Sequence, residues 1–233
     1  FEIPEHTFSK AFEATPYVFE AASRAKAFAE AILKFRPKVL YCDGVPELAI
    51  VARAMGLPVV LVHLHGNIMQ DPTQIFAHEL ADHIVAHFPE VVEQKDFPFA
   101  SKTFYSGYLS KYSETKPGEK TENQHVTILL GYDNYDEKIL RNITADHNIQ
   151  FTVIGNKKEY NLRENCLQLG RVTDISALIK GKTVISAAGQ NTVAELLSLQ
   201  KNLIFLPEPR PYDEQVIHAK MLAEKNIAHL AEE

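Results

Sequence analysis

Short apolar runs bounded by turn residues alternate along this chain with longer stretches that carry apolar residues at helical spacing. Phe12 to Phe35 is alanine-rich, with Phe19, Ala22, Ala25, Phe28 and Ile32 spaced for one helix face, and Pro37 ends it. Val39–Cys42 predicts a strand, Pro46–Met55 a helix closed by Gly56, and Val59–His63 a second strand. Gln74–Leu80 predicts a helix, His83–His87 a strand and Thr103–Tyr105 a weaker one. The pattern then lapses. Tyr112 to Gln124 holds no large aliphatic side chain and is rich in charge, Thr, Pro and Gly, as a linker is.

Beyond the linker the cycle restarts. Strands are predicted at Val126–Leu130, Gln150–Ile154, Cys166–Leu169, Thr183–Ser186, Leu203–Leu206 and Ile227–Leu230. Helices are predicted at Glu137–Asp146, Ile175–Leu178, Thr192–Leu199 and Glu214–Lys225. Nearly continuous apolar strands alternating with helices imply α/β architecture, each sheet parallel and covered on both faces. Two such sets imply two Rossmann-like parallel-sheet domains facing a cleft: residues 1–112, a linker at 113–124, and residues 125–233. In such sheets ligands bind beyond the carboxyl ends of the strands, so the loops there are the places to look.

Composition narrows the classes. The chain has 233 residues and a formal charge of -6, which argues against a general nucleic-acid surface while leaving room for a local phosphate pocket. Two cysteines, Cys42 and Cys166, are too few for a disulfide framework and favour a reducing, cytoplasmic setting. No apolar run approaches the roughly 20 residues that span a bilayer. The start, a short polar segment before an alanine-rich helix, does not read as a signal peptide. With Phe at its first position, the chain reads as a fragment trimmed at both ends.

The richest segment follows the Thr183–Ser186 strand: Ala187-Ala188-Gly189-Gln190-Asn191-Thr192, then a helix. A small-residue loop lets backbone N–H groups approach an anion, and the helix dipole favours negative charge there. The competing reading is purely structural. Thr192 followed three residues on by Glu195 makes a capping box.

The longer run from Ser186 to Ala228 resembles the donor-binding region of GT-B glycosyltransferases, in particular glycosyltransferase family 28. The family's small-small-Gly-x-x-Thr-x-x-Glu, strand-Pro and acid-Gln-x-x-x-Ala pattern stands here as Gly189, Thr192, Glu195, Pro207, Glu214-Gln215 and Ala219. The resemblance implies backbone contacts to a diphosphate from Gly189, Gln190, Asn191 and Thr192, and a ribose held by Glu195. It implies donor-sugar contacts from Gln215 or Glu214. Gly170 to Asp174 resembles the segment that reads the base edge, with Val172 at that contact.

The resemblance extends back to about Arg36. Gly56 to Asn67 matches a strand that ends in His-x-x-x-Asn, and Ala81–Pro89 matches the next strand with its aromatic-Pro pair. Gly107-Tyr108-Leu109-Ser110-Lys111 stands in the place of Gly-Asn-Pro-Val-Arg, so Lys111 takes the position of a phosphate-binding arginine. Lysine keeps the charge there without the bidentate fork. The family's glycine-rich turn after the second domain's first strand is replaced by Gly131-Tyr132-Asp133-Asn134-Tyr135. Its opening glycine-rich, His-bearing loop does not occur, which implies an incomplete N-terminal domain.

Other residues carry competing readings. Asp43 follows a strand and is either a catalytic base or acceptor contact, or a turn residue capping the next helix. His63, His65 and Asn67 are assigned to the acceptor side, with loop packing as the alternative. No third ligand stands at metal spacing, so no metal and no cofactor are expected. His83 and His87 read as edge residues, His218 and Cys42 as packing. Phe97-Pro98-Phe99 either touches a lipid-linked acceptor or packs on its own domain.

The resulting expectation is an inverting, metal-free transferase. It would move a sugar from a nucleoside diphosphate, UDP on the resemblance, to a glycan or lipid-linked acceptor in glycan or cell-envelope synthesis. The location expected is the cytoplasm, with peripheral contact at the inner membrane face as a variant. A nucleotide-sugar hydrolase or 2-epimerase is a second reading. A non-catalytic nucleotide-binding or anchoring subunit of a split transferase is a third.

Overall fold

The computed structural model describes residues 8–115, 122, 124–131, 136–155 and 159–231. Two compact units emerge: the residues up to Tyr108 together with Pro211–Glu214, and Leu109–Arg210 together with Gln215–Glu233. The division falls earlier than the expected boundary at 112, and most of the expected linker lies outside the described residues. A hydrogen-bond pair accounts for the shift. Tyr112 Oη donates to Asp174 Oδ1 at 2.8 Å and accepts from the Ile175 amide at 3.2 Å, tying the segment after Tyr108 into the second unit.

The first unit runs α1 (Phe19–Phe35), β1 (Leu40–Cys42), α2 (Pro46–Ala54), β2 (Val59–His63), α3 (Pro72–Leu80), β3 (His83–Ala86) and β4 (Thr103–Tyr105). Helix α1 begins at Phe19, later than its composition suggests, with Val18 extended at the N-cap. Asp71 caps α3 by accepting from the Thr73 amide at 2.8 Å. The four strands are parallel in the order β1-β2-β3-β4. Because each right-handed crossover steps the same way, the helices gather on one face. There Cys42, Val59, Leu61 and Ile84 pack against Ala49 and Ala52 of α2 and Ala77 of α3, with Phe28 and Ile32 of α1 behind them. Tyr41 and Phe104, on the opposite strand face, are 53% and 67% exposed.

The second unit runs β5 (His125–Leu129), α4 (Glu137–Ile143), β6 (Gln150–Ile154), β7 (Cys166–Leu169), β8 (Thr183–Ser186), α5 (Gln190–Ser198), β9 (Asn202–Phe205), α6 (Glu214–Glu224) and β10 (His229–Leu230). The first residue of α6 belongs to the other unit. The strands are parallel in the order β10-β9-β8-β5-β6-β7, a doubly wound sheet. One half grows from β5 through β6 to β7 and the other from β8 outward, so the order reverses between β5 and β8. In sheets of this kind ligands bind outside the carboxyl ends of the strands, where the order reverses. Val184, Leu196, Leu203, Phe205 and Leu222 are at most 1% exposed. Burying side chains of that size contributes about 1.5–3 kcal/mol each, which anchors α5 and α6 to the sheet.

Two predicted elements differ. Ile175–Leu178 is a turn, since Asp174 accepts from the Ser176 amide and hydroxyl and closes the chain locally. Helix α5 starts at Gln190 with Gly189 as its N-cap, so Thr192 and Glu195 do not form a capping box. Among the described residues no helix is long and apolar enough to cross a membrane.

Candidate functional site

The loop after β8 is shaped by burial. Ala187 and Ala188 are 7% and 0% exposed, so the chain leaves the sheet through a space that larger side chains would not fit. Gly189, half-buried, then opens α5. The amides of the first turn have no carbonyl four residues back, and the helix dipole adds partial positive charge beside them. Val193 N to Gly189 O at 2.9 Å is the first bond of the helix. Gln190, Asn191 and Thr192 form that first turn, beyond the carboxyl end of β8.

Glu195 lies one turn further along. Residues three and four apart share a helix face, so Glu195 stands over Asn191 and Thr192. Its carboxylate Oε1 is 3.3 Å from Lys111 Nζ. Lys111 Nζ also lies 3.4 Å from Thr173 O and over the Tyr112 ring at 4.9 Å. Burial alone would lower the Lys111 ammonium; the hydrogen bond and charge of Glu195 outweigh it and leave its pKa above the ordinary lysine value. Lys111, Thr173 and Glu195 thus meet at one place, with half-buried Val172 next to Thr173. The fold brings together Lys111, Thr173 and Glu195, which are far apart in sequence.

Gln215 and Glu214 are separated by the division between units. Gln215 is 5% exposed; its Oε1 accepts from the Glu208 amide at 2.9 Å, and its Nε2 faces Gly189. Half of its polar capacity is thereby committed to holding the loop after β9. His218, one turn along α6 and 1% exposed, donates from Nδ1 to Ala188 O at 2.8 Å. Burial pushes its imidazole down to about 4, against the weaker pull of that hydrogen bond, so it is neutral at pH 7. His218 is packing, as its sequence context suggests, but it packs against the very loop that feeds α5.

In the first unit the candidates behave differently. His63 is fully buried: Nε2 lies 3.2 Å from Glu93 Oε2 and the ring stacks on Phe97 with centroids 3.9 Å apart. His65, 2% exposed, donates from Nε2 to Val92 O at 2.9 Å and packs on Phe88. Both rings are thus engaged by partners within their own unit. Asn67 donates from Nδ2 to Asp213 Oδ2 at 2.9 Å, holding the 211–214 segment. Phe97 and Phe99 also pack on His78. Asp43 is exposed and does not cap α2, whose N-cap is Val45 without a side-chain bond. Among the described residues no three His, Cys, Asp or Glu side chains group as metal ligands would.

Sequence reasoning passed over Glu208 and Arg210, between β9 and α6. A strand followed by Pro207-Glu208-Pro209-Arg210-Pro211 was the available signal: an acid and a base locked between prolines at the carboxyl end of a sheet.

Comparison with known proteins follows the same lines. Residues 108–233 match the glycosyltransferase family 28 C-terminal domain. No curated protein sequence matches the chain. Among solved structures, the spinosyn rhamnosyltransferase SpnG is similar at a TM-score of 0.70 and 18% identity over 91% of this chain, which spans 64% of SpnG. SpnG complexed with thymidine diphosphate is similar at 0.69, with the same identity and coverage. MurG of Acinetobacter baumannii is similar at 0.59 and 16% identity, over 91% of this chain and 65% of its own. Phytolacca americana UGT2, complexed with UDP-2-fluoro-glucose and pterostilbene, is similar at 0.60 and 12% identity, over 91% and 65%. At such identities the likeness is one of fold.

Proposed function

The chain belongs to glycosyltransferase family 28, and from that premise we propose that it binds the nucleoside diphosphate of a sugar donor and takes part in transferring the sugar to an acceptor. The carrying observation is the convergence of Gly189, the first turn of α5, Glu195 and Lys111 at the switch point of the second unit's sheet. A diphosphate at the α5 N-terminus would meet the positive end of the helix dipole. A ribose diol would donate to the two oxygens of Glu195, the geometry a carboxylate accepts best. Lys111, released from Glu195 as the diol replaces it, would turn to the phosphates.

The proposed donor is uridine diphosphate-linked, on the family resemblance and on the pyrimidine diphosphates that SpnG and UGT2 carry. Transfer with inversion follows the same resemblance, and fixed amides and cations would stabilise the leaving diphosphate. Gln215, or Glu214 beside it in sequence, is proposed to meet the donor sugar, and a glycan or lipid-linked molecule is the proposed acceptor. Asp43, exposed after β1, is the first unit's remaining candidate for the base.

Isothermal titration with UDP tests the carrying observation. Glu195→Ala removes both ribose acceptors and is expected to weaken UDP by about tenfold to a hundredfold, the range for hydrogen bonds to a charged group. Unchanged affinity in that variant would place the ribose elsewhere.

A further inference from the structure

Glu195, the residue proposed to hold the ribose, already has a partner within its own unit. Lys111 Nζ lies 3.3 Å from its Oε1, and the two side chains are 52% and 21% exposed. The same ammonium lies 3.4 Å from Thr173 O and 4.9 Å from the centre of the Tyr112 ring. Tyr112 is itself fixed: it is 6% exposed, and its Oη donates to Asp174 Oδ1 at 2.8 Å and accepts from the Ile175 amide at 3.2 Å. Lys111 thus rests on a firm ring, with the Thr173 carbonyl on one side and the α5 carboxylate on the other.

Three features make the Lys111–Glu195 contact exchangeable. At 3.3 Å it is longer than the about 2.7–2.9 Å of a strong charge-assisted hydrogen bond. Its ammonium is half in water, where ion pairs are weak. Lysine also supplies a point charge and not the planar fork that would clasp both carboxylate oxygens. The contact nonetheless has a consequence for a ligand. A ribose hydroxyl donating to Glu195 gains less while an ammonium already neutralises Oε1. A nucleoside offers Lys111 no anion in exchange for that carboxylate, whereas a diphosphate offers one of higher charge.

We infer that Lys111 competes with the ribose for Glu195 and thereby makes the site select nucleoside diphosphates against nucleosides. Phosphates draw the ammonium away and release the carboxylate to the ribose; a bare nucleoside does not. The inference rests on the reading that Glu195 meets the ribose of a nucleoside diphosphate. It adds to that reading a penalty on ligands without phosphate, which a simple phosphate contact would not impose.

Calorimetric titration of the purified protein with UDP, and with uridine through its displacement of UDP, tests this. The proteins compared are the wild type, Lys111→Met, Lys111→Arg, Glu195→Gln and the Lys111→Met, Glu195→Gln double variant. Lys111→Met keeps an apolar stem and removes the charge. It is expected to bind uridine about twofold to fivefold more tightly, the range set by a partly exposed ion pair. The same variant is expected to bind UDP about threefold to thirtyfold more weakly, because the phosphates lose a charged donor. Opposite signs for the two ligands exclude a damaged fold. Lys111→Arg keeps a cation on Glu195 and is expected to show no gain for uridine. In the Glu195→Gln background, Lys111→Met is expected to lose its uridine gain, since the cycle isolates the coupling between the two residues. Unchanged or weaker uridine binding in Lys111→Met overturns the competition. Unchanged or tighter UDP binding there overturns the exchange. A uridine gain in Lys111→Arg, or one that persists without Glu195, also overturns the inference. A wild type that does not bind UDP strikes the donor-site reading itself, whereas a wild type that binds UDP with same-sign changes in Lys111→Met strikes the role of Lys111 alone.

Discussion

Lowering the pH from 7 to 5 protonates histidine in an unfolded chain, where the imidazole titrates near 6.5, but leaves His218 neutral in the fold. Burial holds that imidazole down to about 4 while Nδ1 donates to Ala188 O. Between about 4 and 6.5 the unfolded chain therefore binds more protons than the native one, so stability is full above 6.5 and is lost as pH falls through that window. At about 1.4 kcal/mol per pH unit, the fall from 6.5 to 5 removes on the order of 2 kcal/mol through this residue. His218→Asn supplies the comparison, since it does not titrate and its amide can still donate to the Ala188 carbonyl. Urea unfolding followed by circular dichroism at pH 7, 6 and 5 reads the difference. His78, also held down to about 4 by burial, titrates in both proteins and cancels in the comparison. The wild type is expected to lose about 2 kcal/mol more than His218→Asn between pH 7 and 5. Parallel pH profiles for the two proteins would refute the argument that a neutral His218 supports the loop entering α5.

Two further substitutions probe the fold that carries the site. Gly155 has φ +102, and a Cβ there would strike the Leu130 carbonyl, so Gly155→Ala is expected to destabilise the second unit by about 1–3 kcal/mol; an unshifted melting curve would contradict that close approach. Glu93 accepts from Tyr105 Oη at 3.1 Å and from the Gln94 amide at 2.8 Å, and pairs with fully buried His63. Glu93→Ala leaves buried His63 and partly buried Tyr105 without this partner and is expected to cost about 3–5 kcal/mol in urea unfolding, with Glu93→Gln recovering a substantial part; equal stability of the Ala variant and the wild type would mean the network contributes nothing.

The strands Val59–His63, Gln150–Ile154, Cys166–Leu169 and Thr183–Ser186 were legible to the residue, because an apolar run flanked by turn residues leaves few alternatives. The start of α5 was not. Thr192 and Glu195 have the spacing of a capping box, but Gly189 leaves the buried Ala187-Ala188 loop already poised to begin the helix, and Val193 and Leu196 bury only if it does so there. For His63 and His65 the sequence left acceptor contact and loop packing both open. In the fold, stacking on Phe97 and Phe88 and the acceptors Glu93 and Val92 O outweigh hydration.

By itself the sequence determined the alternation of strand and helix, the parallel sheets that follow from it, and the glycine-marked loop that we propose for the diphosphate. These are local matters, decided by periodicity and by the small set of conformations a loop of Ala and Gly admits. Only the tertiary structure decided which charges meet. Lys111 finds Glu195, and Glu208 finds Arg210 and the amide of Gly131, because the reversal of strand order sets the ends of β5 and β8 side by side. Pairings of that kind depend on how long chain loops close, and hydrophobic pattern carries no record of them.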